Sequence, residues 1–197
     1  SISFETSRVV YPLSDLEPAN SVKAVGYEER TSLKITSESS MKISYWDLVQ
    51  VRQGGEVYVG TTAGCCPVKY FGNPDGVVSE AENGISKVSF AGNTEFKIGF
   101  KSSDVYGFIA YLQKCPDSDM GSLLVRTFSV DKDADYVDFP GNGSSEDACP
   151  VQFFFGGSGY NFGELEYHSP ATTSEVTGIS RLVYYKGLFS DLLKIID

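Results

Sequence analysis

Glu95-Phe96-Lys97-Ile98-Gly99-Phe100-Lys101 alternates apolar and polar residues, the period of two that sends successive side chains to opposite faces of a sheet. Ser32-Leu33-Lys34-Ile35-Thr36 repeats the pattern, and further strand-like runs cover 41–51, 56–61, 86–90, 123–130, 151–155, 163–168 and 180–186. Turn formers separate these runs: Gly54-Gly55, Asn73-Pro74-Asp75-Gly76, Asn83-Gly84, Gly92-Asn93 and the long stretch 140–146. Many short strands punctuated in this way predict an all-β domain, a sandwich or a barrel. Helical pattern is scarce. Residues 105–112 suit either a helical turn or a strand, and their aromatic content favours the strand. Leu188, Leu192 and Ile195 or Ile196 fall at helical spacing, which predicts a short C-terminal helix over 187–196.

The 197 residues fit one sandwich domain, 1–197, with no internal repeat and no dividing linker. The composition, 41% hydrophobic and 21% charged, is that of an ordinary globular chain. A net charge of −10 with scattered Lys and Arg argues against a nucleic-acid partner, because phosphate binding needs clustered basic residues. No apolar run is long enough to predict a membrane span. Ser1-Ile2-Ser3-Phe4 has neither a basic n-region nor an apolar h-region, so no signal peptide is expected, as in a mature or shortened chain.

Four cysteines, Cys65, Cys66, Cys115 and Cys149, permit two disulfides. A bond between the vicinal Cys65 and Cys66 would be strained, so bonds from that pair to Cys115 and Cys149 are expected. A zinc site is not expected, since no CxxC pair occurs and the chain has one histidine. The sequon Asn142-Gly143-Ser144 offers a glycosylation site at Asn142. Together these features predict a secreted, extracellular protein.

The strongest chemical cluster is Glu164, Glu166 and His168, which share one strand face while Leu165 and Tyr167 take the other. Two carboxylates and an imidazole at this spacing could exchange protons, bond sugar hydroxyls or hold a cation, or simply form a solvated outer face. Trp46 shares a face with Lys42, Ser44 and Gln50, which makes either a sugar platform or an indole half-buried under a loop. Arg30, Ser32 and Lys34 share another face. Phe153-Phe154-Phe155 covers both faces of a strand and is expected to be buried. Asp131, Asp133, Asp135 and Asp138 resemble half of a calcium loop, but the Gly and terminal Glu of such loops are missing, so a solvated connection and no metal are expected. Gly156-Gly157-Ser158-Gly159 lacks the spacing of a nucleophile elbow and lies between strands, which excludes acyl transfer and phosphate cradling.

An ordered set of segments carries a family likeness. It begins with Val22-Lys23-Ala24-Val25-Gly26-Tyr27-Glu28-Glu29-Arg30, Leu33-Lys34-Ile35-Thr36 and Ser44-Tyr45-Trp46-Asp47-Leu48. It continues through Lys97-Ile98-Gly99-Phe100, Gly107-Phe108-Ile109-Ala110-Tyr111, Leu124-Val125-Arg126-Thr127-Phe128 and Asp135-Tyr136-Val137-Asp138. It ends with Gly163-Glu164-Leu165-Glu166-Tyr167-His168-Ser169-Pro170. From about Val22 to Lys186 the chain resembles a galactose mutarotase (aldose 1-epimerase)-like domain, divergent and without the family's N-terminal part. The resemblance implies a large antiparallel β-sandwich whose broad concave sheet holds a sugar. In that family a histidine precedes the Ser-Tyr-aromatic-Asn-Leu strand as general acid; here Ile43 stands in its place. The family's glutamate corresponds to Glu166, or less well to Glu164.

The function expected is therefore non-catalytic carbohydrate binding through Trp46, Arg30, Glu164, Glu166 and His168, with no cofactor. One alternative is an epimerase or lyase with Glu166 or Glu164 as base and His168 or a tyrosine as acid. The other is a structural or assembly protein that uses the sandwich as a scaffold, as a homo-oligomer or with a partner chain.

Overall fold

The quoted alternation at 95–101 becomes a central strand with Phe96, Ile98 and Phe100 wholly buried, in a computed structural model that describes residues 2–18, 21–82, 84–137 and 148–196. In chain order the strands are β1 (Phe4–Pro12), β2 (Lys23–Ile35), β3 (Trp46–Arg52), β4 (Glu56–Thr61), β5 (Val68–Gly72), β6 (Val78–Glu82) and β7 (Ile85–Ser89). They continue with β8 (Phe96–Phe100), β9 (Val105–Lys114), β10 (Met120–Phe128), β11 (Val151–Phe155), β12 (Phe162–His168) and β13 (Glu175–Leu188). A single turn, α1 (Gly157–Tyr160), joins β11 to β12, and α2 (Phe189–Ile196) is the expected C-terminal helix. The ambiguous 105–112 segment is strand β9.

The strands form two sheets, an eight-stranded one in the order β1-β2-β13-β10-β9-β4-β7-β6 and a five-stranded one in the order β3-β12-β11-β8-β5. Neighbouring strands run antiparallel throughout. The inner faces meet in one apolar layer, with Val57, Val59, Ile109 and Phe128 from the large sheet against Phe96, Ile98, Phe153 and Leu165 from the small one. The fold is an antiparallel all-β sandwich, as expected.

Phe90 is the hub of that layer. Its ring centroid lies 5.4 Å from Phe155, 6.0 Å from Tyr111, 6.2 Å from Phe96 and 6.4 Å from Phe153. The ring fits because Gly163 faces it: a Cβ on Gly163 would overlap the edge of Phe90. On the other side of the large sheet, α2 lays Leu192 and Ile196 over Val22, Tyr58, Ala110, Leu112 and Leu123. Among the described residues no helix is long and apolar enough to cross a membrane.

Several expectations change. β1, β5 and β6 escaped the periodicity; in β1 all nine residues are exposed, so no buried face imposes an alternation. The strand expected from 41 begins at Trp46, with Ile43 in an isolated bridge to Thr172. The expected disulfides are not formed: Cys65, Cys66 and Cys115 are free thiols. Thr62 bonds to Asp104 at one end of β9 and Cys115 follows its other end, so ten residues, roughly 30 Å of strand, separate the first pair from Cys115. A disulfide requires Cα atoms within about 7 Å. Cys149 is buried on the outer side of the small sheet against Gly99, while Cys65 packs toward the layer between the sheets. Asn83, Asp138, the 140–146 stretch and the Asn142 sequon lie outside the described residues.

The Phe90–Gly163 fit gives a double-mutant test. Phe90→Ala should cost about 3–5 kcal/mol of unfolding free energy in urea. Gly163→Ala should cost about 1–3 kcal/mol by overpacking, and most of that penalty should vanish in the Phe90→Ala background.

Candidate functional site

Strand β12 divides its side chains as its period demands. Leu165 and Tyr167 enter the core, and Phe162, Glu164, Glu166 and His168 point to the outer face of the small sheet. The register then supplies their neighbours. On β3, Trp46 lies opposite His168, Leu48 opposite Glu166 and Gln50 opposite Glu164. On the other flank of β12, still on the outer face, β11 sets Gln152 beside Glu166 and Phe154 beside Glu164, and Lys97 of β8 lies opposite Phe154.

Glu166 has no solvent exposure although it is on the outer face. Lys97 Nζ donates to both its oxygens, at 2.9 and 2.8 Å, Trp46 Nε1 donates to Oε2 at 3.0 Å, and His168 Nε2 lies 3.4 Å from Oε2. Burial alone would raise the carboxyl pKa, but the His168 contact and the Lys97 ammonium outweigh it and hold Glu166 below the ordinary carboxylate range. The group is an anion with its acceptor sites occupied. That arrangement positions side chains well and leaves a poor general base, which needs a lone pair directed at substrate. Above it the indole of Trp46 and the imidazole of His168 stack, with centroids 6.3 Å apart and planes at 20°. Trp46 remains 54% exposed.

A second group of rings lies along the same face. Phe154 has ring neighbours in Phe71 at 6.2 Å, Phe162 at 6.0 Å and Tyr160 at 6.4 Å, and Tyr160 also meets Phe162 at 5.9 Å. Phe71 reaches the group because β5 slips register between Lys69 and Phe71, leaving Tyr70 as an extra residue opposite β8. In the row of Phe154, between the rows of Trp46 and Phe162, Gln50 Nε2 donates to Glu164 Oε1 at 2.9 Å. The face therefore carries two aromatic areas, with a fixed amide–carboxylate pair beside the second of them.

Of the residues expected at the site, Trp46, Glu164, Glu166 and His168 come together and Arg30 does not. Arg30 points outward from the large sheet, where it pairs with Glu28 at 3.0 Å and lies 5.3 Å from the Tyr11 ring. Both sheets separate it from the cluster. Lys42 and Ser44 precede β3, and Lys42 pairs with Asp135 instead of extending the Trp46 face. Phe153 and Phe155 are buried as expected, whereas Phe154 is half-buried on the outer face. In the acidic run, Asp131 Oδ1 accepts from the Asp133 amide at 3.0 Å, closing a local turn. Among the described residues no three His, Cys, Asp or Glu side chains are grouped to hold a metal.

Sequence reasoning missed Lys97, Phe71, Phe154, Tyr160 and Phe162 as members of this face. For Lys97 the signal was present, since it is the outward residue of the alternating run. No family model matches the chain, and no curated protein or solved structure matches it.

The Glu166–Lys97 pair makes a stability prediction. Glu166→Gln removes the carboxylate that takes two Lys97 bonds and should cost about 3–5 kcal/mol, while Lys97→Met with Glu166→Leu should recover most of it. Because the folded pKa of Glu166 is depressed, its contribution is present above the ordinary carboxylate range and is lost as pH falls through the folded value. Denaturant melts of the double variant should show a shallower loss of stability at acid pH than the parent.

Proposed function

We propose that this domain binds carbohydrate on the outer face of its five-stranded sheet and does not transform it. One observation supports this reading above the others: exposed rings share that face with polar groups already fixed in place. Trp46, Tyr160 and Phe71 are 54%, 60% and 36% exposed, beside the bonded Gln50–Glu164 pair. Sugars offer C–H faces to aromatic rings and hydroxyls to carboxylates and amides, so such a surface suits them on both counts. An indole held by a bond to Glu166 also loses little freedom on binding, which favours affinity.

The mutarotase-like order of segments agrees with a sugar ligand, but the reading rests on this face. Catalysis through Glu166 would require its bonds to Lys97 and Trp46 to be given up first. The proposal of an extracellular setting rests on the Asn142 sequon, since the thiols of Cys65, Cys66 and Cys115 are free.

A glycan array tests the reading. The parent should bind a restricted set of glycans. Trp46→Ala and Tyr160→Ala should each weaken that binding by roughly tenfold, equivalent to 1.4 kcal/mol. Arg30→Ala, on the opposite side of the sandwich, should leave it unchanged. A blank array with folded protein would contradict the proposal and favour the scaffold reading.

A further inference from the structure

The outer face also constrains the shape and charge of its ligand. Along β12 the row holding Phe162 is six residues from the row holding His168 and Trp46, roughly 20 Å at about 3.3 Å per residue. Phe154 and Glu164 form the row two residues nearer, which still leaves about 13 Å to Trp46. A single sugar ring cannot stack on both aromatic areas. Beside Phe154 in the same row, and between the rows of Trp46 and Phe162, is the Gln50–Glu164 pair, an amide and a carboxylate that bond hydroxyls. The nearby ammonium of Lys97 is bonded twice to Glu166. The whole chain carries a net charge of −10. Glu164 and that net charge both disfavour an anionic sugar polymer.

From these distances and charges we infer that the ligand is an internal stretch of a neutral oligosaccharide chain. It lies along β12 and β3, with one sugar stacked at Trp46 and another at the Phe154–Tyr160–Phe162 group. This rests on the carbohydrate-binding reading and specifies its ligand class. The Glu164–Gln50 pair would meet the hydroxyls of the sugar that reaches the row of Phe154. Affinity should then grow with chain length until both areas are covered, and removing one area should leave short ligands at the other unaffected.

The test is titration calorimetry with ladders of neutral cello-, xylo- and manno-oligosaccharides of one to six residues, beside oligogalacturonates of the same lengths. In at least one neutral ladder the hexasaccharide should bind roughly tenfold or more tighter than the monosaccharide. Tyr160→Ala should flatten that rise, and the galacturonates should bind more weakly at every length. Glu164→Gln, which removes the charge and keeps the shape, should narrow the gap between neutral and acidic ladders. A monosaccharide that binds as tightly as its hexasaccharide, or a preference for the acidic ladder, would overturn this inference and leave carbohydrate binding intact. No heat from any ladder, with an unchanged urea melt as proof of folding, would overturn both.

Discussion

A carboxylate removed from water must have its charge and its lone pairs met by fixed donors, and Glu166 imposes that demand on the whole outer face of the small sheet. Three neighbours meet it, from three different strands or strand positions: Lys97 on β8, Trp46 on β3 and His168 two residues further along β12. Such a pair contributes modest net stability, because desolvation offsets much of its attraction. Its consequence is positional. The indole of Trp46 is anchored at its nitrogen and stacked by His168, so an exposed ring is held in one orientation.

The core side of the same strands is braced in a matching way. Asp47, next to Trp46 on β3, accepts from Arg126 of the large sheet, and Arg126 lies 5.5 Å from the ring of Tyr167, next to Glu166 on β12. Arg8 on β1 adds contacts to Glu29 at 3.4 Å and to Asp47 at 3.9 Å. β3 and β12 are thus each tied to the opposite sheet by one residue and to the outer cluster by the next. The period of two makes this arrangement unavoidable once Leu165 and Tyr167 are committed to the core. Shape at the proposed binding face therefore depends on packing between the sheets, with the Phe90 hub at its centre.

Much of this was legible where burial writes a pattern. The run 95–101 gave its strand and its inward residues, and Leu165 and Tyr167 marked the inward face of β12, so Glu164, Glu166 and His168 were correctly placed on one side. The terminal helix was expected from Leu188, Leu192 and Ile195 or Ile196; Leu192 and Ile196 form its buried side, whereas Leu188 ends β13 and is exposed. What stayed hidden depended on pairing. Nothing local says that β12 lies between β3 and β11, so the contact of Glu166 with Lys97, 69 residues away, could not be read. Arg30 has the same outward alternation as Trp46 but belongs to the other sheet, and alternation alone does not distinguish sheets. Phe154 looked like core because it sits between two buried phenylalanines. Cysteine counting failed because it ignores that a ten-residue strand holds Cys65 and Cys115 apart.

The most direct measurement is a two-dimensional nitrogen–proton NMR titration of the isotopically labelled protein with a glycan that it binds. The chain has one tryptophan, so the Trp46 indole N–H gives a single assignable signal. Binding on the outer face of the small sheet should move that signal and the amides of 46–52, 152–154 and 160–168, and leave β1, β2 and α2 unmoved. Shifts concentrated on the large sheet, with the Trp46 signal unchanged, would contradict it.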